Sequence, residues 1–115
     1  MNQISEKIDY KELAKQGREF NITDIHYIIT NTGAIVMSWG FRNPVIMVEN
    51  RVYRFTVSGH HHKGHVYIVL NGLDLFDIYY TSNRGTIKKI SNDVYIDSLV
   101  NTLDSDIERI SEYSF

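Results

Sequence analysis

Cysteine is absent from the 115 residues, which removes disulfides, thiolate metal sites and a cysteine nucleophile together. Long apolar runs are missing as well. Nothing approaches the roughly 18 apolar residues of a membrane span, and Met1 to Lys15 is polar and mixed in charge, unlike a signal segment. The expectation is a cytoplasmic chain without membrane insertion. There is no basic surplus either: twelve Lys and Arg against fourteen Asp and Glu leave a formal charge of −2. That balance argues against a protein whose main task is neutralising phosphates, although a local basic patch remains compatible with it. Repeats, low-complexity tracts and Pro- or Ser-rich linkers are lacking, and Pro44 is the one proline, so a single domain over 1–115 is expected.

The patterning that is present predicts an α+β fold: N-terminal helical segments, an antiparallel meander of about five to six strands and a C-terminal amphipathic helix packed on the sheet. Ser5 to Gln16 reads as a short helix with Ser5 as its cap, Glu6 and Asp9 near its positive end, and Gly17 closing it in a left-handed conformation. Asn21 to Thr30 is β-branched enough for a strand. The spacing of Ile22, Ile25, Ile28 and Ile29 fits a period of 3.6 better, so a helix capped by Asn21 is expected. From Ala34 onward, apolar runs alternate with turn signals. Strands are expected at Ala34–Trp39, Val45–Val48, Val52–Ser58, Val66–Asn71, Leu75–Thr81 and Thr86–Ile90. Each strand alternates, with Tyr53, Phe55 and Val57 on one side and Val52, Arg54 and Thr56 on the other. Finally, Ile96, Leu99, Val100, Leu103, Ile107 and Ile110 draw one stripe along a helix capped by Ser91 or Asn92, with Asp93 complementing its dipole.

Four constellations carry possible chemistry. Gly59-His60-His61-His62-Lys63-Gly64-His65 gathers imidazoles, the commonest transition-metal ligands, so His60, His62 and His65 are candidate metal ligands. No histidine–glutamate zincin motif accompanies them, and the competing reading is a polar, glycine-bracketed hairpin loop. Asp93, Asp97, Asp104 and Glu108 form an acidic ridge opposite the apolar stripe, able to meet a basic partner or simply to face solvent. Phe41 and Arg42, beside Trp39 and Pro44, combine an aromatic ring with a guanidinium as binding hot spots do, or merely cover the core, where Trp39 belongs. Arg51, Arg54, Lys63, Tyr67 and Tyr79 are placed to share an exposed sheet face of the kind that binds single-stranded nucleic acid; cross-strand tyrosine pairs also exist simply to stabilise sheets. No nucleophile elbow or phosphate-cradling loop occurs, no cofactor is implied, and enzyme is the minority reading.

The segments Ser38-Trp39-Gly40, His62-Lys63-Gly64, Leu70-Asn71-Gly72-Leu73-Asp74-Leu75-Phe76-Asp77 and Asp93-Val94-Tyr95-Ile96-Asp97-Ser98-Leu99-Val100 together resemble small proteins of no established activity encoded in bacterial phage and mobile-element regions. The resemblance covers about the C-terminal two-thirds of the chain. It implies context: such proteins are often accessory factors that bind a host protein, inhibitors that counter host defence among them. The leading expectation is a non-enzymatic protein-binding module with a host protein as partner. A metal-dependent or nucleic-acid-processing protein centred on the histidine loop and a single-stranded nucleic-acid-binding sheet are the alternatives. Exposed sheet edges also permit a homodimer.

Overall fold

A computed structural model describes residues 6–109. Its first helix, α1 (Tyr10–Gln16), starts where Asp9 accepts a hydrogen bond from the Glu12 amide at 3.2 Å, satisfying one of the helix's open donors. The expected cap, Ser5, lies outside the described residues. Gly17 does not end the helix in a left-handed turn; its φ is −94°. Glycine eases a close approach there, since a Cβ would stand 3.0 Å from Leu70 O and 3.1 Å from Leu13 O.

Helix α2 (Ile22–Thr30) is capped by Asn21, as its periodicity predicts, and buries Ile22, Ile25 and Ile29. The expected strand Ala34–Trp39 is instead helix α3 (Ala34–Ser38). Two local features turn the chain: Thr32 Oγ1 donates to Ile29 O at 2.8 Å and accepts from Val36 N at 3.1 Å, and Gly33 takes φ +62°. Val36 and Trp39, three apart, then face the core, while Ile35 and Met37 face outward.

Five strands follow, paired in sequence order and all antiparallel: β1 (Arg42–Met47), β2 (Val52–Ser58), β3 (Lys63–Leu70), β4 (Phe76–Thr81) and β5 (Ile87–Val94). β1 begins three residues before the expected start, across a register shift between Arg42 and Val45 where Asn43 has φ 56°. Bulge and proline together blunt this edge of the sheet. β5 runs on through Ser91 and Asn92, the expected caps of the last helix, and through Asp93, which was expected to complement its dipole. They stay in the strand because β4 supplies partners across a register shift in which Asp93 takes φ 56°: the Asp93 amide donates to Asp77 Oδ1 at 3.0 Å, and Ser91 pairs with Ile78.

The C-terminal helix therefore starts later, as a 3-10 turn (Ile96–Ser98) leading into α4 (Leu99–Ile107). Of the six-residue seam, Leu99, Leu103 and Ile107 are fully buried, Val100 is half-buried, Ile96 is 49% exposed, and Ile110 lies outside the described residues. Helices α2, α3 and α4 cover one face of the sheet, meeting Tyr53, Phe55, Val57, Val66, Ile68, Phe76, Ile78 and Tyr80. The opposite face is not fully open as expected. α1 lays Ala14, Leu13 and Tyr10 over Val52, Tyr67 and Val69 in a second, smaller core.

Candidate functional site

The histidine loop is a clasp on the end of α4. A helix leaves its last carbonyls without partners and concentrates partial negative charge there, and the loop answers both. The His61 amide donates to Ile107 O at 2.8 Å, and the His61 ring donates to Arg109 O. His60 donates twice to the Glu108 carboxylate, from its amide at 2.9 Å and from Nδ1 at 2.7 Å. His62 turns the other way: it is buried edge-on against Tyr80 at 5.3 Å and donates from Nε2 to His65 O at 3.1 Å. His65 lies on the opposite face of the sheet, where Nδ1 shares a 3.0 Å hydrogen bond with Thr56 Oγ1. The proposed ligand set His60, His62 and His65 is thus spread over three environments. Among the described residues no three His, Asp or Glu side chains gather as metal ligands.

The acidic ridge is dispersed as well. Asp93 belongs to β5 and accepts from Asn71 Nδ2 at 2.8 Å. Asp104 accepts from Trp39 Nε1 at 2.8 Å and from Arg109 Nε at 3.2 Å, and Glu108 holds His60. Asp93 and Asp97 are exposed, and Asp97, in the 3-10 turn, stands apart from the other three. A further carboxylate is the most engaged of all: Asp106, with only 8% of its side chain exposed, accepts from Tyr80 Oη at 2.6 Å, Lys89 Nζ at 2.6 Å and Ser91 Oγ at 2.8 Å. Burial, with Asp106 alongside, pushes the Tyr80 hydroxyl far above its ordinary range, so it stays a donor. The signal was legible: Asp106 is i+7 from Leu99 and i+3 from Leu103, inside the apolar stripe, where a carboxylate must be partnered.

Phe41 and Arg42 part company. Phe41 is half-buried against Phe55 at 4.8 Å, whereas Arg42 is exposed and donates to Gly40 O at 3.0 Å and Ser58 Oγ at 3.1 Å. Beside Phe41 opens a groove of about 210 Å³ between α2 and β1, lined by Ile22, Thr23, His26, Tyr27, Pro44, Ile46 and Tyr53. Its floor is pinned by the 2.6 Å hydrogen bond between His26 Nδ1 and Tyr53 Oη, and burial raises the Tyr53 hydroxyl above its usual range. Its rim is apolar and open to solvent, with Tyr27 57% and Ile46 51% exposed. The sequence reading missed this groove, because only the pairing of Ile46 with Tyr53 across β1 and β2 brings α2 and β1 to one place.

The basic and aromatic residues are partly assembled. Pairing places Arg54 opposite Tyr67, Tyr67 opposite Tyr79, and Lys63 opposite Ser58. Tyr67 is nevertheless only 4% exposed and stacks under Tyr10 with ring centres 6.3 Å apart. Arg51 is drawn to the α1 side, where Nη1 donates to Ala14 O at 3.3 Å. Comparison of the chain with protein-family models, with curated proteins and with solved structures found no match.

Proposed function

We propose that this chain is a non-enzymatic protein-binding module that takes a large aliphatic or aromatic side chain of its partner into the groove between α2 and β1. The observation that carries the reading is an apolar, open-rimmed recess next to a blunted sheet edge, floored by a hydrogen-bonded His26–Tyr53 pair. Its volume, about 210 Å³, is below the 300–1,000 Å³ typical of pockets for free small ligands and suits one anchoring side chain. Exposed Tyr27 and Ile46 would surround that anchor and exclude water. The resemblance of four segments to phage and mobile-element proteins suggests the class of partner, a host protein, with inhibition of a defence component as one form of the activity. The acidic residues of α4 are poor candidates for the contact because Asp104 and Glu108 are held internally.

The test compares wild type with Ile46→Asp in quantitative pull-downs from bacterial lysate. Ile46 is exposed at the edge strand, so the substitution should leave the melting temperature within a few degrees. It should weaken capture of the specific partner by about 2 kcal/mol or more, roughly 30-fold in affinity. Equal recovery by both proteins, or no specific protein with wild type, refutes the reading.

A further inference from the structure

On the sheet face that carries α1, the register assembles a group of cations that no motif announces. Arg42 lies opposite Thr56 and Thr56 opposite His65, while Lys63 lies opposite Ser58 and Arg54 opposite Tyr67. Thr56, Ser58 and Arg54 are alternate residues of β2, so Arg42, Arg54, Lys63 and His65 share one face across three adjacent strands, spanning about 10 Å across the sheet. Arg42 and Lys63 are exposed and Arg54 and His65 half-buried. Among the described residues none of Arg42, Arg54 and Lys63 enters an ion pair. The Arg54 Nε is buried without any hydrogen-bond partner, an uncommon condition for a guanidinium. His65 feels the group directly: burial first, then the positive charges of Arg54, Arg42 and His62, lower its affinity for a proton.

We infer that this face binds an acidic segment of a partner protein, its carboxylates meeting Arg42, Arg54 and Lys63. The inference rests on the reading of the chain as a protein-binding module: the groove and the cationic face flank the same edge strand from opposite sides of the sheet. A carboxylate-rich segment fits better than single-stranded nucleic acid for two reasons. The tyrosine platform that bases would stack on is closed, because Tyr67 lies under Tyr10. Three of the twelve basic residues stand here, leaving nine against fourteen acidic ones elsewhere, so a polyanion longer than the patch meets net repulsion beyond it. A short extended segment of about four residues spans the patch and stops.

The probe is a fluorescein-labelled oligoglutamate of about four residues, matched to the patch and free of apolar side chains, with an oligothymidylate of equal charge beside it. Fluorescence anisotropy should show saturable peptide binding at about 50 mM salt that weakens at least ~10-fold at about 300 mM, as screening of exposed charges requires. The double variant Arg42→Gln, Lys63→Gln, both sites exposed, should also lose at least ~10-fold in affinity with its melting temperature unchanged. The oligothymidylate should bind more weakly than the peptide. Absence of saturable peptide binding, indifference to the double variant, or tighter binding of the oligothymidylate each overturns the inference, the last in favour of nucleic acid. Ile46→Asp should leave peptide affinity unchanged. A lysate partner lost with Ile46→Asp alongside an inert peptide therefore refutes this inference alone, and the reverse pattern refutes the groove alone.

Discussion

Gly59→Ala tests most directly whether the histidine loop is a seat for α4 rather than a ligand-binding turn. Gly59 is buried where the loop crosses the end of the helix, and a Cβ there would stand 2.3 Å from Ile107 O and 2.6 Å from Ile107 Cγ2. Real Cβ atoms essentially never come within 3.0 Å, so loop and helix must separate by at least ~0.7 Å, and the obstacle is backbone, which cannot rotate away as a side-chain tip would. Overpacking of this kind costs about 1–3 kcal/mol. The separation also strains the 2.8 Å bond from the His61 amide to Ile107 O and both His60 bonds to Glu108, each worth about 0.5–1.5 kcal/mol net, less where water replaces the partner. A total near 2–4 kcal/mol lowers the melting temperature of a domain this size by on the order of 10 °C. Thermal unfolding followed by circular dichroism reads the effect. Gly72→Ala is the matched control, because nothing lies within 4 Å of a Cβ at Gly72, and it should stay within ~0.5 kcal/mol of wild type. A Gly59→Ala protein melting within ~2 °C of wild type would mean that the loop does not sit on the helix end, and the structural role assigned to His60 and His61 would go with it.

Three further outcomes follow from the same structure. Leu103→Asp puts a carboxylate at a site with no exposure in the main core and should cost more than ~4 kcal/mol, seen as loss of cooperative urea unfolding. Asp106→Ala strands Tyr80 Oη, Ser91 Oγ and Lys89 Nζ and should cost about 2–4 kcal/mol in urea titrations, whereas loss of under ~0.5 kcal/mol would contradict the hub. Stability should also fall in acid. His62 is lowered from its ordinary value by burial first and then by Lys88, and His65 by burial first and then by Arg54, Arg42 and His62. Both therefore bind protons more weakly folded than unfolded, so their contribution is complete above the unfolded value of ~6.5 and is lost as pH falls through the folded-state values. Urea midpoints from pH 7.5 to 5 should drop accordingly, and His62→Gln should flatten that slope; an unchanged slope would count against burial as its cause.

Where local pattern and long-range pairing agree, the chain was readable. β2 occupies the expected Val52–Ser58, because strict alternation between Arg51 and Gly59 leaves little choice, and Asn21 caps α2 as its side chain allows. Reading failed where two local rules competed. Ala34-Ile35-Val36-Met37 is β-branched enough for a strand, yet the Thr32 hydroxyl and the left-handed Gly33 close a helical turn on it. Ser91-Asn92-Asp93 is good capping chemistry, yet β4 claims those residues first through Asp77. The candidate sites were legible as residue clusters but not as roles. His60 and its partner Glu108 are 48 positions apart, and Trp39 and Asp104 are 65 apart, so nothing in either local stretch names the other.

The acidic residues at the end of the last helix are largely used within the fold. With Leu99, Leu103 and Ile107 as its three fully buried side chains, α4 gains about half the apolar burial that a six-residue seam would provide, at roughly 1.5–3 kcal/mol each. Its remaining attachment is polar and reaches three ways: Asp104 to Trp39 at the end of α3, Asp106 to Tyr80 of β4 and to Lys89 and Ser91 of β5, and Glu108 to His60 in the β2–β3 loop. Carboxylates used this way have little to offer a partner, since a new contact must first break an internal one. The reverse holds on the other side of the molecule. The rim of the α2–β1 groove and the cations Arg42, Arg54 and Lys63 have large exposed area or unmatched charge, so a partner docking there would gain what the fold has left unused.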